Sequence, residues 1–238
     1  MNDGNGQFNY HETFRFKNSR PYAFSVTDYD KDGLADFVIS SFSADISGDL
    51  FILVNSISKA KITWYKNTED QLVEQDKISD NAAITIDTFD IPSIGTTILA
   101  AEIVQGEIVT YNVQGRMSIG MGGASYGTAF GDIDNNGIVD VFSAHYQPSK
   151  LELSYGTVNG KFTDKKIIAT PENGVTATAF GDFNNDSLID LAFGEFNKKG
   201  FYYYATTSYK NCTIKQGSSI TLTAVFKQND NDSETANT

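Results

Sequence analysis

Acidic residues recur at alternate positions in the stretch DYDKDGLAD, residues 28 to 36. The four carboxylates belong to Asp28, Asp30, Asp32 and Asp36. Ca²⁺ prefers about six to eight oxygen ligands, and short acidic side chains at alternate loop positions can surround one ion. Gly33 stands at the sixth position, where glycine permits the sharp turn that such wrapping needs. The stretch therefore predicts a calcium-binding loop with side-chain ligands at its positions 1, 3, 5 and 9.

The elements around this loop differ from those of an EF-hand. An EF-hand closes with a bidentate glutamate at its twelfth position, where a helix begins. That position is Ile39, inside the apolar and β-branched run FVIS. Such a run is typical of a strand, and YAFSV before the loop has the same character. We therefore expect a calcium loop that joins two strands, with the backbone carbonyl of Leu34 as a further ligand.

The loop pattern occurs twice more along the chain. The second copy offers these candidate ligands: Asp132, Asp134, Asn136, the carbonyl of Ile138, and Asp140. The third copy offers Asp182, Asn184, Asp186, the carbonyl of Leu188, and Asp190. Both copies follow the tetrapeptide TAFG and precede apolar runs, so the similarity extends beyond the ligands. We therefore expect three Ca²⁺ sites.

The number of carboxylates predicts an order among these sites. The first loop has four carboxylates, whereas Asn136 and Asn184 each replace one in the later loops. Since ligand charge tunes calcium affinity, the first loop is expected to bind most tightly. The third loop is expected to bind most weakly, because Ser187 stands where the other loops have glycine.

A weaker copy lies between the first two intact ones, in IDTFDIPSIGTTILAAE. Aligning Gly95 with Gly33 places Asp90 at the first position of this copy. Residues that cannot bind calcium through their side chains occupy the other ligand positions, namely Pro92, Ile94 and Ile98. We expect this copy to keep the strands and to lack the metal site.

The four copies indicate a repeat architecture. They begin at residues 28, 90, 132 and 182, at intervals of 42 to 62 residues. Strand-rich repeats of this length are typical of propeller blades with four strands each. In the first blade, LFILVN at 50–55 is expected to be the third strand and KITWYK at 61–66 the fourth.

The expected fold is therefore all-β, a β-propeller of four-stranded blades with about four to five blades visible in this chain. Two strands remain, at 12–17 and 219–226. They suggest either a ring closed by both termini or a piece of a larger ring. We expect one domain over residues 8–228 and a disordered tail at 229–238.

The three intact copies resemble FG-GAP repeats, also called VCBS repeats, which occur in integrin α-chains, fungal lectins and bacterial surface proteins. The Phe-Gly pair is present at residues 130–131 and 180–181, and is Val26-Thr27 in the first copy. The resemblance spans roughly residues 20 to 210. It implies a β-propeller with calcium held between the first two strands of each marked blade. Related propellers bind sugars or protein ligands, which implies a recognition role.

Composition excludes several classes of function. The formal net charge is −12, but three bound Ca²⁺ ions would bring it to about −6. The chain has no basic stripe to neutralise phosphates, so no nucleic-acid partner is expected. No apolar stretch approaches the roughly 18 residues of a membrane span. The single cysteine, Cys212, cannot form an internal disulfide.

The features that suggest catalysis have ordinary structural explanations. GASYG matches the G-x-S-x-G elbow around Ser125, yet it leads directly into a repeat strand. His11 and His145 are the only histidines and lie in different strand regions. The sequence contains no convergent catalytic set outside the loops, and the chain is not expected to be an enzyme.

We expect a non-catalytic, calcium-binding recognition module, lectin-like or adhesive, with Ca²⁺ as a structural staple. Its ligand would be a glycan or a protein surface, and Trp64 and Tyr202, Tyr203 and Tyr204 offer aromatic faces for sugar stacking. Two alternatives stay open: a spacer or protein–protein interaction module of a larger secreted protein, and a catalytic or non-catalytic part of a hydrolase. The oligomeric state is undetermined.

Calcium loops of this kind bind at about 10⁻⁴–10⁻³ M in extracellular modules, so an extracellular or cell-surface location is expected. No signal peptide is recognised in MNDGNGQFNY.

Overall fold

The computed structural model describes residues 5–7, 15–16, 19–45, 54–121, 125–146, 148–182, 188–195 and 202–204. These residues form four antiparallel sheets. The first contains β1 (Arg20–Thr27), β2 (Asp36–Ser43), β3 (Ser58–Asn67) and β4 (Leu72–Ser79). The second contains β5 (Ala83–Ile91), β6 (Gly95–Glu102), β7 (Glu107–Asn112) and β8 (Gly115–Met121). The third contains β9 (Ser125–Gly131), β10 (Asp140–His145), β11 (Lys150–Gly156) and β12 (Phe162–Ala169). The fourth contains β13 (Val175–Gly181), β14 (Asp190–Glu195) and β15 (Tyr202–Tyr204).

Each sheet is a meander in which strands pair in the order of the chain. This order follows from short loops between consecutive antiparallel strands. The expected all-β class is thereby confirmed, and so is the four-stranded blade in the first three sheets; the fourth sheet has three strands among the described residues. We refer to the four sheets as blades 1 to 4.

The strand assignment in the first blade was wrong in one place. Within the run LFILVN, residues 54 and 55 belong to a helical turn at 54–56, and residues 50–53 lie outside the described residues. KITWYK forms the third strand as part of β3, and the fourth strand is β4, LVEQDKIS. Strand β4 is polar and has no buried residue, as suits the outer edge of a blade.

The apolar core lies between successive blades. One cluster joins Val38 and Ile62 of blade 1 to Ile98 and Val109 of blade 2. A second joins blade 2 to Val141 of blade 3. A third joins blade 3 to blade 4; its members include Phe142, Leu153, Leu191 and Phe193. Blades therefore pack face to face, which is how propeller blades bury both faces of each sheet.

The first strands of the blades are neighbours on the inner side. The hydroxyls of Ser25 in β1 and Thr88 in β5 are 2.7 Å apart. Those of Thr85 in β5 and Thr128 in β9 are 3.1 Å apart. Strands β9 and β13 also pack together, because a Cβ on Gly127 would lie 3.3 Å from Thr178. The first strand of each blade thus lines the inside of the arrangement.

The phenylalanine of each Phe-Gly pair packs on the preceding blade. The Phe130 and Phe89 rings have centroids 5.1 Å apart, and the Phe180 and Phe142 rings 4.8 Å apart. Val26 has the same place in the first copy and is 49% exposed, together with Tyr22 and Phe24 on the same face of β1. This face of β1 is therefore a blade-packing surface that is open to solvent.

Several expected elements fall outside the described residues. They are the strand at 219–226, the tail at 229–238 and most of the strand at 12–17. Among the described residues, no helix is long and apolar enough to cross a membrane.

Candidate metal centre

The acidic loops lie between the first and second strands of their blades, as expected. Residues 28–35 join β1 to β2, and residues 132–139 join β9 to β10. In both blades the ninth-position aspartate opens the second strand. Asp36 pairs with Thr27 and Asp140 with Gly131. The residue at position 9 therefore pairs with the residue just before position 1 in both blades.

In the second loop, hydrogen bonds from the backbone close the turn. Asp132 accepts from the N–H of Asn136 through Oδ1 at 2.9 Å and from the N–H of Gly137 through Oδ2 at 2.7 Å. The Oδ1 atom of Asn136 accepts from the N–H of Ile138 at 2.8 Å. Side chains at positions 1 and 5 therefore shape the loop in addition to offering oxygens.

The first loop has the same network. Asp28 accepts from the N–H groups of Asp32 and Gly33, both at 3.0 Å. The Oδ1 atom of Asp32 accepts from the N–H of Leu34 at 2.9 Å. Two loops about a hundred residues apart thus adopt one structure, because the residues at the equivalent positions make equivalent bonds.

Left-handed backbone conformations occur at the same two loop positions. Gly33 and Gly137, at position 6, have φ values of 92° and 83°. Lys31 and Asn135, at position 4, have φ values of 62° and 59°. Glycine has no Cβ to oppose such angles, which explains its presence at position 6. Ser187, at this position in the third loop, lies outside the described residues.

The ninth-position aspartate ties its loop to the third strand of the blade. Asp140 is fully buried; its Oδ2 accepts from the N–H of Ile133 at 3.0 Å and its Oδ1 from the N–H of Gly156 at 2.9 Å. Gly156 approaches so closely that a Cβ there would lie 2.1 Å from the carbonyl oxygen of Val139. The loop and the end of β11 are therefore held together through one carboxylate.

Asp36 makes the same connection in blade 1. It is fully buried and accepts from the N–H of Tyr29 at 3.0 Å and from the N–H of Asn67, at the end of β3, at 2.8 Å. The sequence reasoning treated position 9 only as a metal ligand and missed this bridging role. The sequence contained part of the information, because an aspartate at the start of an apolar strand becomes buried and then needs hydrogen-bond partners.

The electrostatics of the second loop favour a cation. The pKa of Asp140 is raised to about 6, chiefly by burial and also by the negative charges of Asp134 and Asp132, against the lowering effect of its two backbone hydrogen bonds. An uncompensated cluster of carboxylates repels itself, and a bound ion would reverse that balance.

The carboxylates also converge in space. Ligand atoms of Asp132, Asp134 and Asp140 lie within 4.8 Å of one another. Ligand atoms of Asp28, Asp30 and Asp36 do the same in the first loop. Oxygen-only donor sets of this kind suit a hard cation such as Ca²⁺ rather than zinc.

The first loop differs from the second by a lysine. Lys66, near the end of β3, forms ion pairs with Asp30 and with Asp32, the latter at 2.7 Å. Hydrogen bonds to Asp30 and Asp32 raise the pKa of Lys66, and the bond from Lys66 lowers the pKa of Asp32. Asp32 is thereby committed to an ammonium group.

The third loop is described only in part. Asp190 is fully buried and pairs with Gly181, the register that Asp36 and Asp140 have in their blades. Asp182 and Leu188 are also among the described residues, whereas Asn184 and Asp186 lie outside them.

The weaker copy has a tight turn at its loop position. Residues 92–94 join β5 to β6, and Ile98, at the ninth position, is fully buried. Asp90 is exposed and forms an ion pair with Lys31 of the first loop at 2.8 Å. Within the described residues, the copy therefore keeps its strands and uses its one remaining acid to contact blade 1.

Residues considered for other chemistry have structural neighbours. The Trp64 ring lies 4.8 Å from the ring of Tyr29 and packs on the core between blades 1 and 2. His145 is fully buried, with Nε2 3.1 Å from Glu152. Ser125 opens strand β9, where a nucleophile elbow would need a strand-to-helix turn. His11 and the side chains of residues 202–204 lie outside the described residues.

Comparison with known proteins supports the repeat and the fold. Residues 132–193, which contain the second and third loops, match the family model of the FG-GAP-like repeat. No curated protein matches this chain. A solved structure, BBS1N in complex with ARL6DN and soaked with lead, is similar with a TM-score of 0.51 and 10% sequence identity. The similarity covers 83% of this chain and 53% of that one, so this chain spans about half of its length.

At that level of identity the likeness concerns the fold alone. Together with the four face-to-face sheets, it shows that the chain is an all-β protein of the β-propeller kind, in which residues 132–193 match the FG-GAP-like repeat.

Proposed function

We propose that this chain is a non-catalytic recognition module whose second loop binds Ca²⁺ as a structural staple. The observation that carries the proposal is the convergence of Asp132, Asp134 and Asp140 in a loop whose backbone is already closed. The FG-GAP-like repeat and the propeller fold support a module for recognition or interaction.

The residues that would hold the ion are those of the second loop: Asp132, Asp134, Asn136, the carbonyl of Ile138, and Asp140. The ion would supply positive charge among acids that otherwise repel each other. Asp140 would link the bound ion to β11, because its carboxylate also accepts a hydrogen bond from the N–H of Gly156. We extend the proposal to the third loop, on the register of Asp190, with ligands Asp182, Asn184, Asp186, the carbonyl of Leu188, and Asp190.

The partner is proposed to be a macromolecule at an extracellular or cell surface. The one described histidine, His145, is fully buried beside Glu152, which supports a module without catalysis. A protein ligand is favoured over a glycan, because Trp64, the one described candidate for sugar stacking, packs against Tyr29. The structural relative is itself described in complex with ARL6DN.

Calcium is expected to raise the thermal stability of the protein. A ligand that binds only the folded state contributes RT ln(1 + [L]/Kd), about 2.7 kcal/mol per site at a hundredfold excess over Kd. Chelation should therefore lower the melting temperature clearly. Asp134→Asn should remove much of the effect without burying an unpaired group, because Asp134 is exposed. Asp76→Asn, an exposed acid of β4 away from the loops, is the control.

Melting curves with and without chelator measure this effect, and binding to glycan arrays and to cell-surface proteins should be followed in the same samples. Chelation should destabilise the protein before it abolishes binding. Immediate loss of binding by a protein that stays folded would instead place the ion in direct contact with the ligand. Equal melting temperatures with and without calcium would contradict the proposal that bound calcium stabilises the fold.

We also propose that residues 8–228 form one domain, closed when the strand expected at 219–226 packs on the open face of β1. Tyr22, Phe24 and Val26 are 48%, 64% and 49% exposed on a face that packs on the preceding blade in blades 3 and 4. The alternating apolar residues of SITLTAVF suit such a contact.

A double-mutant cycle between Phe24→Ser and Leu222→Ser tests this closure. Contacting residues show coupling of about 0.5–3 kcal/mol, whereas distant ones are additive. Val113→Ser, at an apolar residue that is 85% exposed elsewhere, should show no coupling with Leu222→Ser. Additive effects of Phe24→Ser and Leu222→Ser would mean that this strand does not cover the exposed face of β1, and would favour a further blade of a larger ring or a separate partner there.

A further inference from the structure

We propose that Lys66 is the cation of the first loop, so that this loop takes up no calcium whereas the second loop binds it. The inference rests on the proposed calcium site of the second loop. It reverses the order of affinity expected from the number of carboxylates alone.

The ammonium group of Lys66 lies among the oxygens that the ion would need. Its Nζ contacts Asp30 and, at 2.7 Å, Asp32, the side chains at loop positions 3 and 5. An ammonium donates hydrogen bonds to the same carboxylate oxygens that would coordinate an ion. Asp30 is itself a member of the convergent group of Asp28, Asp30 and Asp36, so the lysine holds one of the carboxylates that the ion would need.

The register of the blades shows that the lysine occupies a defined position. Lys66 immediately precedes Asn67, whose N–H binds Asp36. In blade 3 the corresponding residue is Tyr155, which precedes Gly156, whose N–H binds Asp140. The two loops therefore share their backbone bonds and differ in one neighbouring side chain, which is cationic in blade 1 and neutral in blade 3.

The contacts of the carboxylates differ accordingly. In the first loop Lys66 neutralises part of the acidic cluster, and Lys31 is turned to Asp90 of blade 2. In the described part of the chain, no ion pair involves Asp132, Asp134 or Asp140. Calcium entering the first loop must displace an intramolecular cation held at high effective concentration. Calcium entering the second loop only relieves repulsion.

The test is the number of calcium ions bound per chain, measured by calorimetric titration. Lys66→Met should add one ion to the wild-type number, because it frees Asp30 and Asp32. Tyr155→Lys should weaken the second site by about tenfold or more, since one nearby charge contributes energy of that order. Lys59→Met, at an exposed lysine at the other end of the same strand, should leave the number unchanged.

Terbium luminescence assigns the extra ion to its loop. Trp64 is the single tryptophan, and its ring lies 4.8 Å from that of Tyr29, the second residue of the first loop. Tryptophan-sensitised terbium emission should be weak in the wild type and strong in Lys66→Met. Asp30→Asn should leave the wild-type calcium number unchanged.

Two results would overturn the proposal: a wild-type calcium number that falls by one in Asp30→Asn, or a Lys66→Met variant that gains no ion. Failure of the underlying calcium function is distinguishable, because Asp134→Asn would then leave the wild-type calcium number unchanged.

Discussion

In saturating calcium, Asp140→Ala is expected to lower the free energy of unfolding by about 3–5 kcal/mol. The substitution leaves the buried N–H groups of Ile133 and Gly156 without their acceptor. An orphaned buried donor costs about 1–3 kcal/mol, and the loss of bound calcium adds to this cost. The cost should be smaller without calcium, because ionised Asp140 then faces Asp132 and Asp134 uncompensated.

Chemical denaturation in the presence and absence of calcium measures both values. Asp134→Asn is the matched control, because it removes a ligand charge and leaves the hydrogen bonds from Ile133 and Gly156 to Asp140 in place. The difference between the two variants isolates the hydrogen bonds to β9–β10 and β11. A loss below about 1 kcal/mol in Asp140→Ala would mean that these bonds are not the connection between loop and strand.

Glu102→Ala is expected to cost about 3–5 kcal/mol, the loss typical of breaking a buried ion pair from one side. Glu102 is fully buried and accepts from Asn81 at 2.9 Å, from Arg116 at 2.7 Å and from the hydroxyl of Tyr111. Asn81 lies in the connection between blades 1 and 2, so this network fixes the entry of the chain into blade 2.

The same experiment on Glu107→Ala provides the control. Glu107 also pairs with Arg116 but is less buried, and ion pairs near the surface contribute about 0–1 kcal/mol. Equal losses for the two glutamates would show that burial does not set the energy of this network. Asn173 makes the equivalent contact with Glu195 at 3.1 Å in blade 4, but Glu195 is only partly buried, so Glu195→Ala should cost less than Glu102→Ala.

Much of the fold could be predicted because each blade repeats local signals. The repeat length predicted the four-stranded blades, and the spacing of the acids located the turns between first and second strands. The error at residues 54 and 55 has a physical cause: a short apolar run fits a buried strand and a helical turn equally well. Strand β4 escaped notice because LVEQDKIS is polar, and its place depends on pairing with β3.

The candidate site was predictable only where its geometry is local. Asp132, Asp134 and Asp140 are brought together by a nine-residue loop, so their spacing was sufficient. Lys66 reaches Asp30 from 36 residues away, through the pairing of β2 with β3. The hydrogen bond from Gly156 to Asp140 depends on the pairing of β10 with β11. Such contacts follow from register, which a linear pattern does not specify.

The most direct test of the calcium staple is a crystal structure of the chain grown with calcium, with the metal located by its anomalous signal. The structure predicts an ion among Asp132, Asp134 and Asp140, with the hydrogen bonds of Asp132 to Asn136 and Gly137 preserved. If no ion is found at this position at saturating calcium while the loop keeps the same conformation, the proposed calcium site is contradicted.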